Sequence, residues 1–243
     1  MPDASVKRFK FIGCKVLMRE TYQLARQSQN IVDALWKKQA LHNTPDILRR
    51  EVQAAIDAVE AEEERYDAIL LGYCLCSNGI VGLKSSRTPI VIPRGHDCIT
   101  VLLGSKERYK ELFDSYGGGI YWYSPGWMEH SVMPGPERYR IAYEEYAEKY
   151  GEDNAQYLMD MEQGWMKEYK LALYLDWPEL RRSDYKQYAK DCADFLKWDF
   201  RAETGDSGLL QDMLNGNWDE RKFLVVQPGE TVQPSFDDTI IRT

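Results

Sequence analysis

Two short apolar runs, each breaking into a loop rich in soft metal ligands, constrain this chain more than anything else in it. The first is Leu70-Leu-Gly-Tyr-Cys-Leu-Cys-Ser-Asn-Gly-Ile-Val-Gly82 and the second is Ile90-Val-Ile-Pro-Arg-Gly-His-Asp-Cys-Ile-Thr100. Runs of this length bounded by glycine and proline read as buried strands, and parallel sheets place their chemistry just beyond such strands. Cys74 and Cys76 fall in the first loop, His96 and Cys98 in the second. The two loops are therefore expected to form the walls of one site.

The flanking sequence predicts the frame. Phe9-Lys-Phe-Ile-Gly-Cys14 alternates and then turns apolar, a first strand ending at Cys14. Residues 16–27 carry helix formers, with Leu17, Tyr22, Leu24 and Ala25 as inward positions. Ile31 to Trp36 reads as a second strand, followed by a polar connection containing His42. Thr44-Pro45-Asp46 predicts a helix start, with a hydroxyl N-cap, proline at the first helical position and an acid near the positive end of the dipole. That helix is expected to run to about Glu63 with Leu48, Val52, Ala55, Ile56 and Val59 on one face. Its acidic end, Glu60-Ala-Glu-Glu-Glu64, reads as a solvated face. Strands over 67–72 and 89–93, helices over 98–105 and 106–116 with Asp97 as a candidate N-cap, and a fifth strand over 120–123 follow. The expected fold class is α/β, a mostly parallel sheet flanked by helices.

After Pro136 the texture becomes helical and aromatic. Tyr139, Tyr143, Tyr146 and Tyr150 share one helix face, and residues 154–175 and 179–200 are expected to be two more helices. Phe223-Leu-Val-Val-Gln227 reads as a strand returning to the sheet. The expectation is thus one α/β domain over 1–243, with residues 137–200 as a helical, aromatic-rich excursion from it.

Charge and cysteine count narrow the function classes. The net charge of -8 and the lack of a basic cluster argue against a nucleic-acid surface. No run reaches the length of a membrane span, and Met1 to Arg8 has no apolar signal core, so a cytoplasmic address is expected. Five cysteines with no small-scaffold spacing point to metal binding or thiol chemistry rather than disulfides.

In a parallel sheet, Cys14, the Cys74/Cys76 loop and the His96/Cys98 loop all lie at carboxyl ends of strands. Thiolate and neutral imidazole suit zinc, and thiolates also suit iron or an iron–sulfur cluster. Cys98 at a helix start is expected to have a lowered pKa. Asp97 is either that helix's cap or a partner orienting His96. Each cysteine alone also reads as core, Cys192 above all. Tyr121, Trp122, Tyr123 and Trp127 read either as an aromatic seam or as the wall of a pocket for a flat ligand. His130 is a candidate for reaching the site from a lid loop. Gly72, Gly79 and Gly82 do not have dinucleotide-fingerprint spacing.

Tyr73-x-Leu-Cys76-x-Asn78-Gly79, Pro93-Arg-x-His-Asp-Cys98 with Leu102-Leu-Gly-Ser105, and Gly126-Trp127 resemble an uncharacterised prokaryotic domain-of-unknown-function family, family 1638. The resemblance spans roughly residues 8–230. It implies an association with corrinoid-dependent methyltransferase systems, and it raises the candidacy of Cys14, Glu20, His42, Cys76, His96 and Cys98. Cys74 stands where the family usually has glycine, which favours Cys76 as the thiol that matters.

The expected function is a metal-dependent enzyme of one-carbon, methyl-transfer metabolism acting on a small molecule. Zinc, or alternatively iron or an iron–sulfur cluster, is expected on Cys14, Cys76, His96 and Cys98. Glu20, His42 and Asp97 are the expected acid–base and orienting groups, and Tyr73, Asn78 and Trp127 the expected cofactor-binding ones. Two rivals are a non-enzymatic partner of a corrinoid protein or methyltransferase, docking through the aromatic helical block, and a redox protein using Cys74 and Cys76 as a dithiol.

Overall fold

The computed structural model describes residues 6–243, so the opening segment read for a signal core lies partly outside the described residues. The chain divides into two compact units, one ending at Tyr109 and resuming over Gly205–Thr243, the other covering Lys110–Thr204.

The first unit is built on β1 (Arg8–Cys14), α1 (Met18–Ala25), β2 (Ile31–Lys37), α2 (Pro45–Ala61), β3 (Ala68–Gly72), β4 (Ile90–Pro93) and α3 (Cys98–Leu103). The α4 helix (Lys106–Ser115) then crosses the boundary between the units. The sheet order is β2-β1-β3-β4, all parallel, and the strand returning at Phe223–Val226 adds to β4 antiparallel, as its sequence suggests. Every residue of β3 and β4 is buried, the pattern of a parallel sheet covered on both faces. From β1 the chain moves to one side, to β2, and then returns to place β3 on the other. The topological switch point, where open parallel sheets bind their ligands, therefore lies between the carboxyl ends of β1 and β3.

Phe11 holds this switch point together. It is fully buried and its ring lies 5.4 Å from that of Trp36. Gly13 and Gly72 are register partners, and a Cβ on them would come within 2.4 and 2.5 Å of the Phe11 ring. The two glycines are the space the ring occupies.

The α2 face is the one the periodicity predicts: Leu48, Val52, Ala55, Ile56 and Val59 are all buried. Its start differs from expectation. Thr44 makes no side-chain cap, and its hydroxyl instead donates back to the Leu41 carbonyl at 3.3 Å. On α1, Tyr22 is exposed while Glu20 and Thr21 are buried with Leu24.

The acidic end of α2 is not merely solvated. Glu60 accepts hydrogen bonds from Ser86 N (2.7 Å), Ser86 Oγ (2.7 Å), Arg87 N (2.9 Å) and Thr88 N (3.0 Å), tying α2 to the turn before β4. Burial acts to raise its pKa, but these donors outweigh it and hold the carboxyl below its ordinary value. The stabilisation is therefore present above the unfolded carboxyl's pKa and lost as pH falls through the lowered folded value. Glu60→Gln is expected to cost about 1–2 kcal/mol at neutral pH. In urea unfolding, the variant and the parent should converge as the pH drops through that lowered folded value. A deficit that persists there would mean that the loss is steric.

The second unit contains β5 (Ile120–Tyr123), α5 (Pro125–Met128), α6 (Pro136–Tyr150), α7 (Glu152–Glu162), β6 (Leu171–Asp176), α8 (Ser183–Leu196) and β7 (Asp199–Thr204). Two of the expected helices are thereby corrected. Leu171-Ala-Leu-Tyr-Leu-Asp176 is a fully buried strand, and residues 199–204 form a second one. The three strands make a separate parallel sheet in the order β5-β6-β7, so the fifth predicted strand does not join the first sheet. The reason is composition: 171–175 is continuously apolar and ends at Trp177-Pro178, which suits a doubly covered strand as well as a helix. Cys192 is core, as expected, packed with Tyr123, Tyr174 and Ala189.

The chain then returns to the first unit through α9 (Gly208–Asn215), which no sequence signal singled out, and β8 (Phe223–Val226), and ends in an antiparallel pair, β9 (Gln233–Pro234) and β10 (Ile241–Arg242). The α9 helix buries Leu209, Leu210, Met213 and Leu214 and packs with α1, α3 and β4.

Candidate functional site

The candidate site lies along the carboxyl edge of the first unit's sheet. Its central piece is the loop after β3. Cys76, Ser77 and Asn78 are three successive non-glycine residues in the left-handed region, with φ of 46°, 57° and 64°. Such backbone costs about 1 kcal/mol or more per residue, and it persists only where its surroundings enforce it. Here Leu75 N donates to Gly95 O (3.0 Å) and Cys76 N to His96 O (2.8 Å), joining this loop to the one after β4. From α2, Arg49 donates to the Asn78 carbonyl at 3.1 Å. The two loops are thus bonded side by side.

The loop after β4 turns directly into α3. Asp97 is extended, and its carboxylate accepts from Ile99 N at 2.9 Å, so it is the N-cap. Tyr109 Oη donates to its other oxygen at 3.1 Å. Because the helix starts at Cys98, His96 and Cys98 part: His96 is exposed and Cys98 is half-buried. His96 meets Cys76 through its backbone oxygen.

Cys14, Cys74 and Cys76 are buried, and all five cysteines of the chain are free thiols. Burial raises Cys14, a backbone hydrogen bond at Val16 opposing it. Cys76 is pushed up to about 12, by burial first, with Asp97 and Cys14 adding to it. Cys98 also lies well above an ordinary thiol, through burial and then Asp97, Cys14, Cys76 and Cys74. The lowered pKa expected from its helix position is thus overturned: α3 has only six residues, and burial beside a carboxylate dominates. Cys14 ends β1, while Cys76 and Cys98 follow β3 and β4, and the Tyr73 hydroxyl is raised by burial first and then by these three thiols.

His42, in the β2–α2 connection, is lowered by burial while Asp97 pulls it back up. Glu20 is buried on α1, just past β1. Asn78 is exposed. Trp127 and His130 belong to the second unit, where Trp127 packs against the aromatic core and His130 lines a groove with Glu129, Tyr185 and Tyr188. The aromatic seam is therefore the observed role of Tyr123 and Trp127.

Sequence reasoning missed a group of buried polar side chains. Thr21 Oγ1, both amide atoms of Gln39, Tyr73 Oη and Thr100 Oγ1 are buried without a hydrogen-bond partner among the described residues. All four residues follow carboxyl ends of β1 to β4. Nothing in a string such as Lys38-Gln39-Ala40 distinguishes a buried amide from an exposed one, so only the tertiary structure exposes this pattern.

Among the described residues, no three His, Cys, Asp or Glu side chains stand in a group that could hold a metal ion. The donors nonetheless fit a thiophilic cation in kind, because burial disfavours the thiolate form and a bound cation would offset that penalty.

These features define an α/β protein with a mostly parallel sheet and with cysteines at or just past the carboxyl ends of β1, β3 and β4. The chain belongs to the family described as protein of unknown function (DUF1638), whose family model matches residues 36–214. That span includes His42, Tyr73, Cys76, Asn78, His96, Asp97, Cys98 and Trp127, while Cys14 and Glu20 precede it. No match was found among curated proteins or among solved structures. No helix of the described residues is long and apolar enough to cross a membrane.

Proposed function

We propose that the protein is a metal-dependent enzyme acting on a small molecule, with zinc or iron taken up by Cys14, Cys76 and Cys98. The observation that carries this reading is that those thiols end β1 or follow β3 and β4, neighbours in one sheet, and that the loops after β3 and β4 are hydrogen-bonded to each other. Methyl transfer in one-carbon metabolism, with a corrinoid supplied by a partner, is the reaction class the family resemblance suggests. Cys14, Cys76 and Cys98 would hold the ion as thiolates, so its binding would release protons. When bound, the ion would act as a Lewis acid toward a substrate or water. His42, kept neutral by burial, is the proton acceptor of the site, and Asp97 fixes the turn that presents Cys98.

Cobalt(II) added to protein prepared without oxygen is expected to give a stoichiometric thiolate-to-cobalt absorption. Cys76→Ser and Cys98→Ser should each weaken it by more than about a hundredfold while circular dichroism stays unchanged. Full cobalt binding in the double Ser variant would remove the reading.

The accessory-protein reading has one observation in its favour. The α6 helix buries no residue completely and exposes Ile141 and Tyr150, and α7, which packs with it, exposes Tyr157 and Met161. If that face docks a corrinoid protein or methyltransferase, Tyr157→Asp should abolish co-elution with the purified partner. Unchanged co-elution excludes the face. The dithiol reading has less support, since burial raises Cys74 and Cys76 alike and the thiolate is the reactive form.

A further inference from the structure

We propose that Gln39 and Tyr73 form the hydrogen-bonding wall of the thiol site and that they receive an uncharged ligand with an amide-type edge, a carbonyl beside an N–H. The sheet order β2-β1-β3 sets Gln39, just past β2, and Tyr73, just past β3, on either side of Cys14 at the end of β1. Neighbouring strands are about 5 Å apart, so a small ligand over Cys14 is within reach of both. Gln39 is 4% exposed and Tyr73 is 4% exposed, yet neither the Gln39 amide oxygen and nitrogen nor the Tyr73 hydroxyl has a partner among the described residues.

Buried polar atoms without partners are rare, and each calls for an explanation. Those of Gln39 and Tyr73 belong to residues just past the carboxyl ends of β2 and β3, the strands on either side of the one that ends at Cys14. A side-chain amide offers an acceptor beside a donor, and its complement is a group presenting a donor beside an acceptor. Tyr73, protonated throughout the usable pH range because burial and the thiols push it up, adds a donor for the carbonyl's second lone pair. Burial selects against a charged ligand, whose desolvation these neutral groups do not offset.

This inference uses the same thiols as the proposed function, and its test keeps the two separable by working on metal-free full-length protein. Iodoacetamide carries the amide edge; iodoacetonitrile is an alkylating agent without it. In both, a thiolate sulfur forms a bond to the methylene carbon, iodide leaves with the bonding pair, and the thiol proton goes to solvent. Mass spectrometry at about pH 8.5, near the free-thiol pKa, gives the two rates at Cys14, Cys76 and Cys98, with glutathione supplying the intrinsic ratio. Native protein is expected to favour iodoacetamide by about tenfold beyond glutathione at one or more of these thiols. Gln39→Leu and Tyr73→Phe should each remove most of that preference while leaving the melting temperature equal or higher, since each deletes an unpartnered buried group. A purely structural role predicts lower melting temperatures and an unchanged ratio. The wild-type ratio decides even where a variant fails to fold. A ratio equal to that of glutathione overturns the proposal. So does a preference surviving in both variants, or native protein in which none of the three thiols reacts while the unfolded chain is alkylated. Cobalt binding can stand or fall independently of each outcome.

Discussion

Phe11→Ala is expected to lose about 3–5 kcal/mol of folding free energy, the range for removing a fully buried large aromatic. That is a large share of the roughly 5–15 kcal/mol available to a typical domain. The ring fills the room left by Gly13 and Gly72 and packs on Trp36. Its loss opens a cavity spanning β1, β2 and β3, and backbone pairing leaves those strands little freedom to close it. Urea unfolding measures the loss directly. A cost below about 1.5 kcal/mol would mean that the sheet collapses onto the cavity and that the ring does not set the spacing of β1 and β3.

Gly79→Ala is expected to be the more informative substitution because it acts on the left-handed turn itself. A Cβ there would lie 2.4 Å from Leu48 Cδ2 and 2.9 Å from the Cys76 carbonyl oxygen. The leucine is fully buried on α2, and the carbonyl is held by the Gly79 N–H at 2.9 Å, so neither yields freely. The strain should cost about 1–3 kcal/mol and shift Cys76 relative to the loop after β4. Cobalt uptake should fall with it. Leu48→Ala in the same chain relieves the steric part, so the pair should be markedly non-additive in stability. Strictly additive losses would show that α2 does not buttress the turn.

The fold was legible where periodicity and punctuation agree. The α2 face, the strands of the first sheet and the returning β8 follow from residue pattern alone, because burial on one face or both leaves a readable trace. Leu171–Leu175 misleads because a short apolar run fits a buried strand and a buried helix equally well. The acidic end of α2 misleads for another reason: Glu60 finds its donors in the turn at 86–88, and nothing local announces a partner at that separation.

Residue type and spacing alone determined that soft ligands collect after β3 and β4, that Asp97 caps the helix behind them, and that the class is α/β. Only the tertiary structure decided which of those ligands face inward. It buried Cys14 and Cys76 and turned His96 to solvent. It also reversed the expected acidity of Cys98 and buried Gln39 and Tyr73, just past β2 and β3, without hydrogen-bond partners among the described residues. The physical reason is that local chemistry selects an element and its ends, whereas desolvation depends on everything packed around an atom, and that packing is assembled from segments far apart in the chain.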